Sequence, residues 1–133
     1  MRVAMAAALA LAFSATGAMA AQQFDLDCKG NFSAIPAAAG QADTPWADHF
    51  RVDLTWGEFC QGPCERPKIL VTARPEIIVF DANEDETTKD FVAVSRATGE
   101  FYANHVEKAS GAGWTIMGQC DPAPFTEIPT FVK

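Results

Sequence analysis

Apolar and polar side chains alternate with a period of two along most of the chain after residue 23. In "FDLDCKG", Phe24, Leu26 and Cys28 fall on one face and Asp25, Asp27 and Lys29 on the other. "HFRVDLTWG" repeats the pattern, with Phe50, Val52, Leu54 and Trp56 set against Arg51, Asp53 and Thr55. Such alternation marks an antiparallel strand with one face on a core and one in water, and it places Trp56 in that core. "KILVTA" and "EIIVFD" are denser apolar runs separated by Arg74-Pro75. The proline has no N–H for a ladder, and either run suits a strand buried on both faces.

After the acidic stretch "DANEDETTKD", two strand-like runs flank Thr98-Gly99, where glycine supplies the positive φ of a tight hairpin. "SGAG", Ser110 to Gly113, turns the chain into "WTIMGQC". "IPAAAGQADTPWADH" reads as a loop around Trp46. The three prolines of "DPAPFTEIPTFVK" restrict the tail to an edge, with Phe125 and Ile128 packing down. Outside the N-terminal segment, no long run carries a 3.6-residue apolar stripe. The pattern predicts an all-β fold: a single small antiparallel β-barrel or β-sandwich of about seven strands.

The N-terminal segment follows another rule. "MRVAMAAALALAFSATGAMA" has one basic residue, Arg2, then an apolar run from Val3 to Phe13 and a small-residue region ending in Ala18-Met19-Ala20. This is the form of a signal peptide spanning residues 1–20, cut after Ala20. The apolar run is shorter than the roughly 20 residues a membrane-spanning helix needs, and no later stretch approaches that length. Residues 21–133 then form a single β-domain, not membrane-spanning, in the periplasm or the medium.

Charge narrows the partners. The chain carries 10 basic and 17 acidic residues, a net charge of −7. Removing the leader takes away only Arg2 and leaves −8. No Lys/Arg cluster offsets that sign, which argues against nucleic-acid binding and against docking on anionic lipid.

Four cysteines in an exported chain read first as two disulfides. Cys60 and Cys64 enclose the turn Gln61-Gly62-Pro63, while Cys28 lies in the first strand and Cys120 in the last long one. The favoured pairing is Cys60–Cys64 with Cys28–Cys120. A thiol oxidoreductase normally spaces its cysteines by two residues at a helix N-terminus. A zinc site needs a second close pair, and His49 and His105 are isolated in sequence.

Other candidate chemistry is sparse. Asp81, Asn83 and Asp85 match the first ligand positions of a calcium loop, but Glu86 stands where the turn needs Gly and Val92 where the bidentate Glu belongs. They are metal candidates only in that partial sense. His49, bracketed by Asp48 and Asp53, and His105 in "YANHVE" lack a nucleophile in a recognisable setting. The reading is therefore of a protein with no catalytic residues and no cofactor. Trp46, Tyr102 and Trp114 are candidates to line an apolar pocket at a barrel mouth.

The order "FDLDCKG … FRVDLTWGEFCQGPCERP … VSRATGEFY … GQCDPAPF" resembles small, uncharacterised exported proteins of Alphaproteobacteria with paired cysteines and an Arg-x-Thr-Gly hairpin, here Arg96 to Gly99. The same meander is similar, at the level of fold, to lipocalin- and avidin-like barrels. The resemblance implies an exported β-fold and no activity. The function expected is non-enzymatic binding of a small apolar ligand or an envelope component. The alternatives are a protein-interaction or inhibitor module, and a small hydrolase with dispersed acidic residues.

Overall fold

The computed structural model describes Met19, residues 21–36 and residues 43–129. The expected leader, Met19 apart, lies outside the described residues. Nine strands run β1 (Gln23–Ile35), β2 (Thr44–Asp53), β3 (Glu58–Gln61), β4 (Lys68–Ile69), β5 (Thr72–Ala73), β6 (Ile77–Glu84), β7 (Thr88–Ser95), β8 (Glu100–Glu107) and β9 (Gly113–Ala123). All belong to one antiparallel sheet in the order β4-β3-β2-β1-β9-β8-β7-β6-β5, curled into a half-barrel. No helix occurs among the described residues.

The count exceeds the expected seven because Glu58–Gln61 forms a strand of its own and "KILVTA" divides. Lys68–Ile69 pairs with β3, Thr72–Ala73 pairs with β6, and these two short strands are the opposite ends of the sheet. Between them, Leu70 N donates to Gly57 O at 2.8 Å and Val71 N to Val79 O at 3.0 Å. Two successive residues thus bond to opposite ends of one sheet. The run is not buried on both faces as its composition suggests, since Ile69 is 81% exposed and Val71 53%.

Strand alternation is followed closely elsewhere. Phe24, Leu26, Cys28, Phe50 and Val52 line the concave side and are almost fully buried. Trp56 departs from it and is 77% exposed. β2 ends at Asp53, whose Oδ1 accepts from Thr55 N at 2.9 Å and Trp56 N at 3.2 Å, while Gly57 takes φ 66°. Once the chain turns there, the period of two no longer points Trp56 inwards.

β2 begins earlier than the composition suggests, so Trp46 is a strand residue. From Thr44 to His49, β2 has β1 on one side and no strand of the sheet on the other. Pro45 can sit there because no neighbour needs its missing N–H. Pro122 in β9 is tolerated for the same reason, since β8 pairs only as far as Gln119. Among the described residues no strand follows Ala123, yet Ile128 is buried and Phe125 half-buried against the convex side.

Two cysteine pairs lie at disulfide distance. Cys28 and Cys120 face each other in the β1–β9 ladder with Cα atoms 4.0 Å apart, and Cys60 and Cys64 span their turn at 5.2 Å. The aromatic core closes the curl. Phe80 of β6 stacks on Phe50 of β2 at 4.7 Å between centroids and meets Phe59 of β3 edge-on at 4.9 Å.

Candidate functional site: the groove between the ends of the sheet

Where the sheet's two ends approach, a groove of about 270 Å³ remains. β3 and β4 contribute Phe59, Gln61, Lys68 and Ile69 to one wall. Phe80 and Asp81 of β6 and Val92 of β7 form the other, and Val71 of the crossing segment closes one end. The floor is aromatic and aliphatic, with Lys68, Gln61 and Asp81 as its polar side chains.

A β-bulge sets the far wall. The β6–β7 register shifts between Val79 and Asp81, leaving Phe80 without a partner. Two successive side chains, Phe80 and Asp81, therefore border the groove. Phe80 is 4% exposed and belongs to the core, whereas the Asp81 side reaches solvent. Bulges commonly re-aim side chains in this way beside functional surfaces. Ile69 of the near wall is exposed, as is Trp56 on the turn whose next residue, Gly57, bonds Leu70.

Of the candidate metal- and ligand-binding residues singled out in the sequence, Asp81 alone borders the groove. Trp46 lies flat against Phe101, centroids 4.9 Å apart. Trp114 packs between Phe32 at 5.8 Å and His105 at 6.1 Å. Tyr102 is on the convex side near Phe91, at 6.3 Å. The three aromatic candidates are thus not brought to one pocket. Asp85 is occupied in its hairpin: Oδ1 accepts from Thr87 N at 2.7 Å, Thr88 N at 2.8 Å and Thr87 Oγ1 at 2.9 Å. These donors, the Thr88 amide foremost, lower its pKa to about 2. Among the described residues no group of three His, Cys, Asp or Glu side chains is placed to hold a metal ion. Groove residues such as Phe59, Lys68, Ile69 and Val71 carry no local motif, and the only sequence signal was the undivided apolar run of "KILVTA".

The histidines find partners that sequence adjacency did not give. His49 lies on the convex side with Nδ1 2.7 Å from Asp27 Oδ1 and Nε2 2.8 Å from Asp25 Oδ2. Both neighbours are acceptors, so the ring satisfies both only as a doubly protonated imidazolium. The bond to Asp27 is the largest influence raising the His49 pKa above 6.5, opposed by desolvation and assisted by Asp25. Asp25 is buried, and it accepts from Thr126 N at 3.0 Å and Thr126 Oγ1 at 2.5 Å. Arg51 Nη1 donates to Glu127 O at 3.1 Å. The Asp25–Thr126 and Arg51–Glu127 contacts hold the C-terminal segment onto β1 and β2, while the buried Arg51 Nε has no partner among the described residues. His105 Nδ1 lies 2.6 Å from Asp90 Oδ1, and among the described residues no Ser, Thr or Cys is bonded to either imidazole.

Comparison with protein-family models, with curated proteins and with solved structures finds no match. No helix among the described residues is long and apolar enough to cross a membrane.

Proposed function

We propose that this is an exported, non-enzymatic interaction domain that receives an apolar anchor residue of a partner polypeptide in the groove between the ends of its sheet. The openness of the groove carries this reading over the small-ligand alternative. Small-ligand sites enclose most of their ligand's surface, whereas Ile69 and Val71 line this groove and are themselves 81% and 53% exposed. Binding energy at protein interfaces concentrates in a few large side chains seated in such pockets and ringed by further contact. Ile69 and Val71 supply apolar surface at the groove itself, and Trp56, 77% exposed, lies on the turn whose next residue bonds Leu70. Large exposed apolar side chains grouped together mark interaction surfaces more often than scattered ones do. Lys68 and Asp81, of opposite charge within the groove, would orient the anchor's backbone or flanking polar groups. Two cysteine pairs at disulfide distance suit an oxidising compartment.

Selection of displayed random peptides on the purified exported protein tests the proposal. The enriched peptides are expected to share an aromatic or branched aliphatic anchor. Ile69→Glu and Val71→Glu, both at exposed positions, are expected to weaken their binding at least tenfold, while Tyr102→Ala on the convex side leaves it unchanged. Peptides indifferent to both glutamate changes would exclude the groove as the binding surface.

A further inference from the structure

The N-terminal residue that the structure describes, Met19, is built into the fold. Its side chain is 8% exposed and joins the buried core cluster. Its carbonyl accepts from Arg96 Nη2 at 2.7 Å and Arg96 Nε at 3.1 Å, a two-pronged guanidinium contact. Arg96 Nη1 donates to Arg74 O at 3.1 Å, so the same guanidinium ties the N-terminal segment to the β7–β8 hairpin and to the approach to β6. Gly99 has φ 76°, and a side chain there would reach the methyl end of Met19. Met19, Arg96 and Gly99 together with Cys120 and Pro122 line a cleft of about 240 Å³.

A leader peptidase needs small residues at the first and third positions before its cut. Ala18 and Ala20 match that rule directly for a cut after Ala20, and Thr16 and Ala18 meet it with a somewhat larger residue at the third position for a cut after Ala18. The residue rule leaves both open. Packing separates them. Residues discarded with a leader have no part in the mature core, and in the uncut chain Met19 is already packed into the core cluster with a forked arginine on its carbonyl. A cut after Ala20 would open the cleft and leave the Nε and Nη2 donors of Arg96 without their acceptor.

We infer that the leader is cut between Ala18 and Met19, and that Met19 is the first residue of the exported chain. The step is hydrolysis by a leader peptidase. The Ala18–Met19 C–N bond breaks, water supplies the hydroxyl that completes the Ala18 carboxylate, and the remaining proton goes to the Met19 amine.

The test is to produce the full chain with its own leader in a host that exports it, and to read the exported form by intact mass and N-terminal sequencing. Met19 is the expected first residue. Ala20→Gln spoils only the later cut and is expected to leave processing unchanged, while Thr16→Asp is expected to slow it. An exported chain beginning at Ala21, or precursor accumulating in Ala20→Gln, overturns the inference. Met19→Ser, exported and processed at the same bond, is expected to melt several degrees below the parent. An unaltered melting temperature would overturn the place given to Met19 in the mature core.

Discussion

His49 shows how a single side chain can govern the attachment of a distant segment. Its imidazole, 37% exposed, is held between Asp25 and Asp27, and Asp25 in turn holds Thr126. Folding raises the His49 pKa, so the stability from this arrangement is complete below the ordinary value of about 6.5 and is lost as pH rises through the higher, folded value. The melting temperature is expected to decline as pH is raised from about 6.5. His49→Gln should flatten that decline, and solvent screening keeps the effect modest at so exposed a ring. An identical pH slope in the parent and in His49→Gln would rule out this role. None of this was legible locally. Asp48 and Asp53 flank His49 in sequence, but Asp48 accepts the His49 amide and Gln61 Nε2, while Asp53 caps the turn after β2. The effective partners lie 22, 24 and 101 residues apart along the chain, in the Asp27, Asp25 and Thr126 contacts. Only the pairing of β1 with β2, and the path of the tail, brings them together.

At the scale of elements, alternation located the long strands because one face of each is buried, and it failed where that condition fails. Thr98-Gly99 was readable as a hairpin, and Gly99 adopts the positive φ that its turn requires. The division of "KILVTA" was not readable, because edge strands of two residues have no period to detect. Glycine inside strands gave a different lesson. Gly30 pairs with Trp46 on one side and Gly118 on the other, and Gly118 pairs with Phe101. The indole of Trp46 can lie across two positions without side chains to reach Phe101. The β1 and β9 backbones also come so close that a Cβ at Gly118 would strike the Lys29 carbonyl, and one at Gly30 the Met117 carbonyl. Gly118→Ala is therefore expected to destabilise the protein by about 1–3 kcal/mol, as overpacking does, measured by chemical denaturation. A loss below a few tenths of a kcal/mol would mean that the ladder relaxes freely there.

For the whole molecule, the first and last strands sit side by side at the middle of the sheet. Every other neighbouring pair of strands is consecutive in sequence. Cys28–Cys120, separated by 92 residues, fastens that one long-range ladder, whereas Cys60–Cys64 closes a separation of 4. In the chain-entropy account the long link contributes about 4.5 kcal/mol and the short one roughly 2. Replacing Cys28 and Cys120 together by Ala should therefore lower unfolding free energy by more than replacing Cys60 and Cys64 together, and equal losses would argue that the loops are already constrained when unfolded. The crossing at Leu70 and Val71 has a topological corollary. Were the chain opened between those two residues and β9 joined to β1, the same sheet would read β5 through β9 and then β1 through β4, each strand beside its predecessor from one edge to the other. The fold is in that sense a circularly permuted up-and-down meander. Its ends have been moved to the centre, so the ladder that a meander would form as a local hairpin must here be formed across nearly the full length of the polypeptide, the slow step of a high-contact-order topology.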